Sequence, residues 1–156
     1  GAEDGYAFAT GMAAVYSTFA ALLNSGDHIV SASSVFGSTH TLFTKYFPKW
    51  NITTSYFDVN KPEVIENFIQ PNTKILYAES PTNPAVDILD LELLGKIAKK
   101  HNLILIIDNC FSTPCIPLFQ FCFQKELVQN LLSEPNNDFY HLQKLPTFFS
   151  QSKEKK

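Results

Sequence analysis

Asp108 closes an unbroken apolar run, "LILIID" at 103–108. An ionised carboxylate at the end of such a run is costly unless a partner matches it. One reading is an acid aimed at a cationic ring nitrogen or a metal ion. The other is a turn aspartate that accepts hydrogen bonds from nearby backbone N–H groups. Position alone leaves both open. Thr10, Gly11 and Met12 open an apolar stretch at helical spacing. A helix start of that kind can present backbone N–H groups to a phosphate, or it can be a plain cap. Phe36 precedes Gly37. Its ring could lie flat over a bound heterocycle, worth about 0.5–1.5 kcal/mol beyond burial, although taken singly it reads better as a core residue. Glu79 and Asn83 bracket "ESPTNP". Two prolines stiffen that loop, and Asn83 carries both a donor and an acceptor. Such a loop is a ligand wall or simply a good turn.

The elements that must position these residues alternate along the chain. "MAAVYSTFAALL" (12–23) has helical spacing, "NSGD" is a turn, and "HIVSAS" (28–33) reads as a buried strand. "FGSTHTLFTKYF" (36–47) predicts a second helix closed by Pro48, and "ITTSYFD" (52–58) a strand. Pro62 opens a third helix, "PEVIENFI", at a favourable first-turn position. "TKILYAE" (73–79) is a strand. Asp90 caps a helix over "LELLGKIAKKH", whose lysines suit the negative end of the helix dipole. "LILII" (103–107) is the last clear strand. Its apolar run, like that at 75–77, does not alternate, which marks strands covered on both faces. The expected fold is therefore α/β: three layers, α/β/α, around a mainly parallel sheet. Ligands bind beyond the carboxyl ends of such strands. Asp108, Glu79, the proline loop and Phe36 all fall there. Together with the first helix start they supply phosphate donors, a stacking ring, a hydrogen-bonding amide and an acid. A flat, phosphorylated pyridine needs those parts.

Composition narrows the classes. The 156 residues are 45% hydrophobic and 17% charged, an ordinary globular balance rather than a disordered one. The net charge of −3 gives no support for a nucleic-acid or anionic-membrane surface. The sequence has no arginine, so no bidentate clamp on phosphate or carboxylate can come from these residues. Cys110, Cys115 and Cys122 have no metal-ligand spacing, so no metal site is expected; free thiols in a cytoplasmic protein are. No stretch has the length of a membrane span. A dinucleotide-binding oxidoreductase would need a glycine-rich fingerprint after the first strand, and there is none. Cys110 has no histidine placed to activate it and reads as a packed thiol.

Four stretches carry a resemblance: "FATGMAAVYSTFAALLNSGDHIV", "SSVFGSTHTLF", "ILYAESPTNP" and "IIDNCFSTP". In order and spacing they resemble the pyridoxal-phosphate enzymes of cysteine and methionine metabolism, which include cystathionine γ-synthase, methionine γ-lyase and the homoserine-ester sulfhydrylases. "SVFGST" and "DNCFSTP" look most like the O-succinylhomoserine and next the O-acetylhomoserine sulfhydrylases. The resemblance implies part of the fold-type I large domain over 1–119, with pyridoxal 5'-phosphate as cofactor. Gly11 and Met12 would give backbone N–H groups to its phosphate, and Phe36 would stack on its ring. Asn83 would bond its 3-oxygen or the substrate, and Asp108 its ring nitrogen. Many relatives have tyrosine where Phe36 stands, so a proton-transfer role for that ring is lost here. The implied reaction is γ-replacement on an O-acylhomoserine, with sulfide giving homocysteine. Cystathionine γ-synthase or methionine γ-lyase chemistry is the alternative, or a non-catalytic subunit. The implied partner is a small amino-acid substrate, with no nucleic acid and no membrane; full-length relatives are homo-oligomers.

The family pattern stops near Phe119. The Schiff-base lysine belongs in a "SATK"-like stretch, which Lys125 and Lys144 do not match, so no catalytic residue is assigned. Residues 120–156 read as a non-homologous, irregular tail with one possible helix at 123–132. The expectation is a truncated or frameshifted copy without turnover.

Overall fold

The computed structural model describes residues 6–111. The expectations for 120–156, including the helix at 123–132, lie outside them.

Four strands form one sheet in the order β2-β1-β3-β4: β1 His28–Ala32, β2 Thr53–Phe57, β3 Thr73–Glu79 and β4 Ile104–Asp108. All three pairings are parallel. Every residue of β1 is buried, as is all of β3 except Lys74. That burial on alternate side chains requires cover on both faces, which is why the strands are apolar without alternation. The architecture is the expected three-layer α/β/α arrangement. The terminus of β4 differs by one residue: Asp108 is its last member rather than the first residue beyond it.

Helix α1, Gly11–Leu22, starts at Thr10, whose hydroxyl accepts from the Ala13 N–H at 3.1 Å. It buries Val15 and Phe19. Phe19 meets Tyr77 of β3 edge-on at 5.3 Å, and Phe43 and Phe47 close the same aromatic cluster at 5.0 and 5.7 Å. Such edge contacts add about 0.5–1.5 kcal/mol each to the burial itself. A short turn through Gly26, φ +96°, reverses the chain into β1. Helix α1 therefore runs back against the sheet direction. Gly11 lies eight residues upstream of Phe19, about 12 Å along the axis, and the adjoining Met12 shares a hollow with Ser38 and Thr41 in the segment after β1.

The segment 36–47 departs from the single expected helix. Helix α2 covers only Gly37–Thr41; a π-helical turn follows at Leu42–Tyr46 and a 3-10 turn at Phe47–Trp50. Pro48 does not close a helix but sits at the start of the 3-10 turn. Proline lacks the N–H that an α-helix would require there, and the first turn of a new helix is where that loss costs nothing. The chain then leaves through Asn51 in the left-handed conformation. Pro62–Phe68, expected as a helix, is also 3-10. Helix α3, Leu91–Lys100, is as expected: Asp90 accepts from the Leu93 N–H at 2.9 Å, and Leu94, Ile97 and Ala98 form the buried stripe.

Candidate functional site

The carboxyl ends of β3 and β4 bring two acids side by side, because Glu79 and Asp108 are register partners. Glu79 is 4% exposed, whereas Asp108 is half-buried. Between them stands the phenol of Tyr77, fully buried, with its oxygen 3.4 Å from Glu79 Oε1 and 3.5 Å from Asp108 Oδ2. Burial first, then the charges of Asp108 and Glu79, push the Tyr77 hydroxyl far above its ordinary value, so it stays a donor. Burial also raises the Glu79 carboxyl; the Phe36 N–H works against that rise and the Asp108 charge adds to it.

Asp108 does in part what the turn reading expected. Its Oδ1 accepts from the Cys110 N–H at 3.0 Å. The other oxygen faces only the long Tyr77 contact among the described hydrogen bonds. The strand end is further tied by Ser80 N–H donating to the Asp108 carbonyl at 3.0 Å.

Phe36 corrects the single-residue expectation. It is not a core residue: it is 44% exposed, at the cap position of α2. The neighbouring Val35 takes the buried place instead, at 7%. The Phe36 N–H donates to Glu79 Oε1 at 2.7 Å, which joins the Phe36 loop to the end of β3. Asn83 is half-buried on the loop after β3, where the Ser80–Pro81 and Asn83–Pro84 peptides are both cis. Thr82 and Ser80 hold that loop: Thr82 Oγ1 accepts from the Asp87 N–H at 2.9 Å, and Ser80 Oγ from the Leu89 N–H at 3.2 Å.

Gly11 and Met12 open α1, where the first N–H groups have no intrahelical acceptor. Met12 lines a hollow of about 310 Å³ together with Ser38, Thr41, Leu42 and Tyr46. The structure thus joins Phe36, Glu79, Tyr77 and Asp108 through contacts and sets Asn83 on the loop that follows β3, while Met12 meets the helical segment that follows Phe36. Sequence reasoning missed Tyr77 and placed Glu79 at a strand end beside the proline loop without giving it a role. The signal for Glu79 was the one used for Asp108: an acid ending an apolar strand.

Cys110 is exposed, and the Asp108 charge, then burial, then Glu79 push its thiol up. That disfavours the thiolate and argues against a nucleophile there. Among the described residues no cluster of His, Cys, Asp and Glu could hold a metal ion, and no helix is long and apolar enough to cross a membrane.

A family model described as Cys/Met metabolism PLP-dependent enzyme matches residues 1–120. The chain belongs to that family. Its relatives include cystathionine gamma-lyase of Bacillus subtilis, 46% identical over 72% of this chain and 29% of the relative. O-succinylhomoserine sulfhydrylase of Pseudomonas aeruginosa is 40% identical over 74% of this chain and 29% of the relative. Among solved structures, cystathionine gamma-lyase from Lactobacillus plantarum complexed with L-serine superposes with a TM-score of 0.66 at 36% identity, covering 69% of this chain and 28% of that one. An O-acetylhomoserine (thiol)-lyase from Campylobacter jejuni carrying N'-pyridoxyl-lysine-5'-monophosphate does so at 0.62 and 36%, covering 65% and 25%. The chain therefore spans less than a third of the length of the curated relatives it matches. The family's cofactor is pyridoxal phosphate.

Proposed function

We propose that residues 6–111 form the cofactor-binding edge of an enzyme that replaces a group at the γ-carbon of an O-acylhomoserine, with sulfide as the incoming nucleophile. The observation that carries this reading is the joint placement of an open aromatic ring and an acid at one sheet edge. Phe36 offers an exposed face, and Asp108 ends β4 with one oxygen that no backbone N–H of the described residues bonds. The remaining residues fit the same group. Gly11 and Met12 present N–H groups suited to its phosphate. A Cβ added at Gly11 would meet nothing within 4 Å among the described residues. The side chain of Asn83 is on the adjoining loop to bond a ring oxygen or the substrate.

When bound, the cofactor supplies an electron sink for a carbanion next to its ring. The chain's own part is to hold and polarise. Asp108 beside a ring nitrogen favours the protonated ring, because an opposite charge within a few ångströms stabilises the charged form. Phe36 orients the ring by stacking but has no hydroxyl to move a proton. The 156 residues hold no match to the family's lysine-bearing stretch, so these residues alone give no turnover in this reading.

The test is a fluorescence titration of the chain with pyridoxal phosphate. Binding is expected, weakened about tenfold in Phe36→Ala by loss of stacking and contact area, and weakened similarly in Asp108→Asn. Equal affinities in all three would overturn the assignment. The reaction class is tested by grafting residues 6–111 into the Pseudomonas sulfhydrylase and assaying homocysteine from O-succinylhomoserine and sulfide. The greater identity to a γ-lyase favours a second reading, elimination. In that case the graft would release ammonia without taking up sulfide.

A further inference from the structure

Glu79 is a buried acid to which the reading above gives no task. It makes one short contact, 2.7 Å from the Phe36 N–H to its Oε1, and one long one, 3.4 Å from the Tyr77 hydroxyl to the same oxygen. The phenol has a single proton and also lies 3.5 Å from Asp108 Oδ2, so it cannot serve both acids fully. The Phe36 amide is thus the contact that Glu79 makes well. Phe36 has few other ties. It caps α2 without a side-chain hydrogen bond, and its ring is 44% exposed. Its carbonyl accepts from the His40 N–H at 2.9 Å, but that bond only fastens it to its own helix. Upstream, Ser33 N–H donates to the Phe57 carbonyl at 2.9 Å, which anchors the segment to β2, three residues away. The bond to Glu79 is what fastens Phe36 to β3, beside the strand that carries Asp108.

We propose that Glu79 is a positioning residue. Its carboxyl oxygen clamps the Phe36 main chain to the end of β3, which sets the distance and tilt of the Phe36 ring relative to Asp108. A flat ligand whose edge meets Asp108 then meets the ring on its face. This use of the clamp rests on the cofactor reading of Phe36 and Asp108; the clamp itself does not. What the clamp needs is an acceptor oxygen, not a charge. A protonated carboxyl accepts through its carbonyl oxygen as a carboxylate does, and so does a carboxamide.

The experiment uses the 156-residue chain, with far-UV circular dichroism as the check on folding. Amide hydrogen exchange at Phe36 is read by NMR without ligand, followed by fluorescence titration with pyridoxal phosphate. Glu79→Ala is expected to lower Phe36 protection about tenfold, the size of one lost hydrogen bond, while the β1 amides keep theirs. Glu79→Gln is expected to stay within about threefold of the parent, since it restores the acceptor. Should the alanine variant not fold, Glu79→Asp replaces it: the charge is kept but the acceptor is drawn back by one methylene, and Phe36 protection is again expected to fall. Pyridoxal phosphate affinity is expected to follow Phe36 protection across the series. Unchanged Phe36 exchange in the alanine or aspartate variant overturns the proposal. So does a glutamine variant that loses its fold or as much protection as alanine, and so does lost protection with unchanged affinity. Failure of the parent to bind pyridoxal phosphate would overturn the cofactor reading, while the exchange data would still decide the clamp.

Discussion

At the scale of single residues, the sheet edge is a set of mutual perturbations. Two acids at adjacent strand ends raise the titration of whatever acid group lies near them, because each adds negative charge in a partly dry setting. Cys110 reports this. Its thiol is pushed up first by Asp108. Replacing Asp108 with Asn removes that largest cause, so the thiolate fraction at mildly alkaline pH should rise. We expect Cys110 to alkylate several-fold faster in Asp108→Asn than in the parent, measured by mass spectrometry of the peptide that bears it. An unchanged rate would mean that the carboxylate does not govern the thiol. Phe36 shows why exposure resists reading from residue type. Large aromatic side chains are usually buried, yet here Val35 fills the core position and leaves the ring outside.

At the scale of elements, the opposite end of the sheet carries a different device. His28 opens β1 with 0% exposure. Its Nδ1 lies 2.8 Å from Thr73 Oγ1, and its Nε2 lies 3.0 Å from Ser55 Oγ and 3.3 Å from Gln70 Nε2. The imidazole thus ties the middle of β2 and the start of β3 to β1. Burial lowers its titration below the ordinary value of 6.5. The folded protein then binds a proton at His28 less readily than the unfolded chain does. The stability contribution is therefore present above pH 6.5 and lost as pH falls through the lowered folded value. Glu79 has the reverse sign: its carboxyl is raised above 4.5, so its contribution is full below that value and declines as pH rises. We expect the melting temperature of the parent to fall more between pH 7.5 and 5.5 than that of His28→Gln, measured by circular dichroism. Equal falls would remove His28 as the cause.

At the scale of the whole molecule, the described surface is rich in uncovered apolar groups. Tyr16 and Trp50 are 43% and 45% exposed and touch edge-on, at 6.0 Å between ring centroids. Tyr46, under Lys49 at 5.3 Å, is exposed as well. Strand β4 is apolar from Ile104 to Ile107 and pairs, among the described residues, with β3 alone. An apolar strand edge and an aromatic patch both favour association with another chain. Residues 1–156 are expected to self-associate, with the sedimentation coefficient rising with concentration, and Trp50→Lys should reduce the effect. A single monomeric species over the whole concentration range would contradict this.

The alternation of helix and strand, the parallel sheet and the strand positions to within one residue were legible because they rest on local patterns. Apolar runs without alternation mark doubly covered strands, and Asp90 marks its helix start through a hydrogen bond three residues away. Family membership was legible as well, because the stretches that carry the resemblance are contiguous in the sequence. Three things were decided only by tertiary structure: the division of 36–50 into three helical pitches, the exposure of Phe36, and the partnership of Glu79 with Phe36 across 43 positions. Each depends on which strands lie side by side. The order β2-β1-β3-β4 sets Glu79 beside Asp108, and that adjacency is a contact between segments far apart in the chain, which no local periodicity encodes.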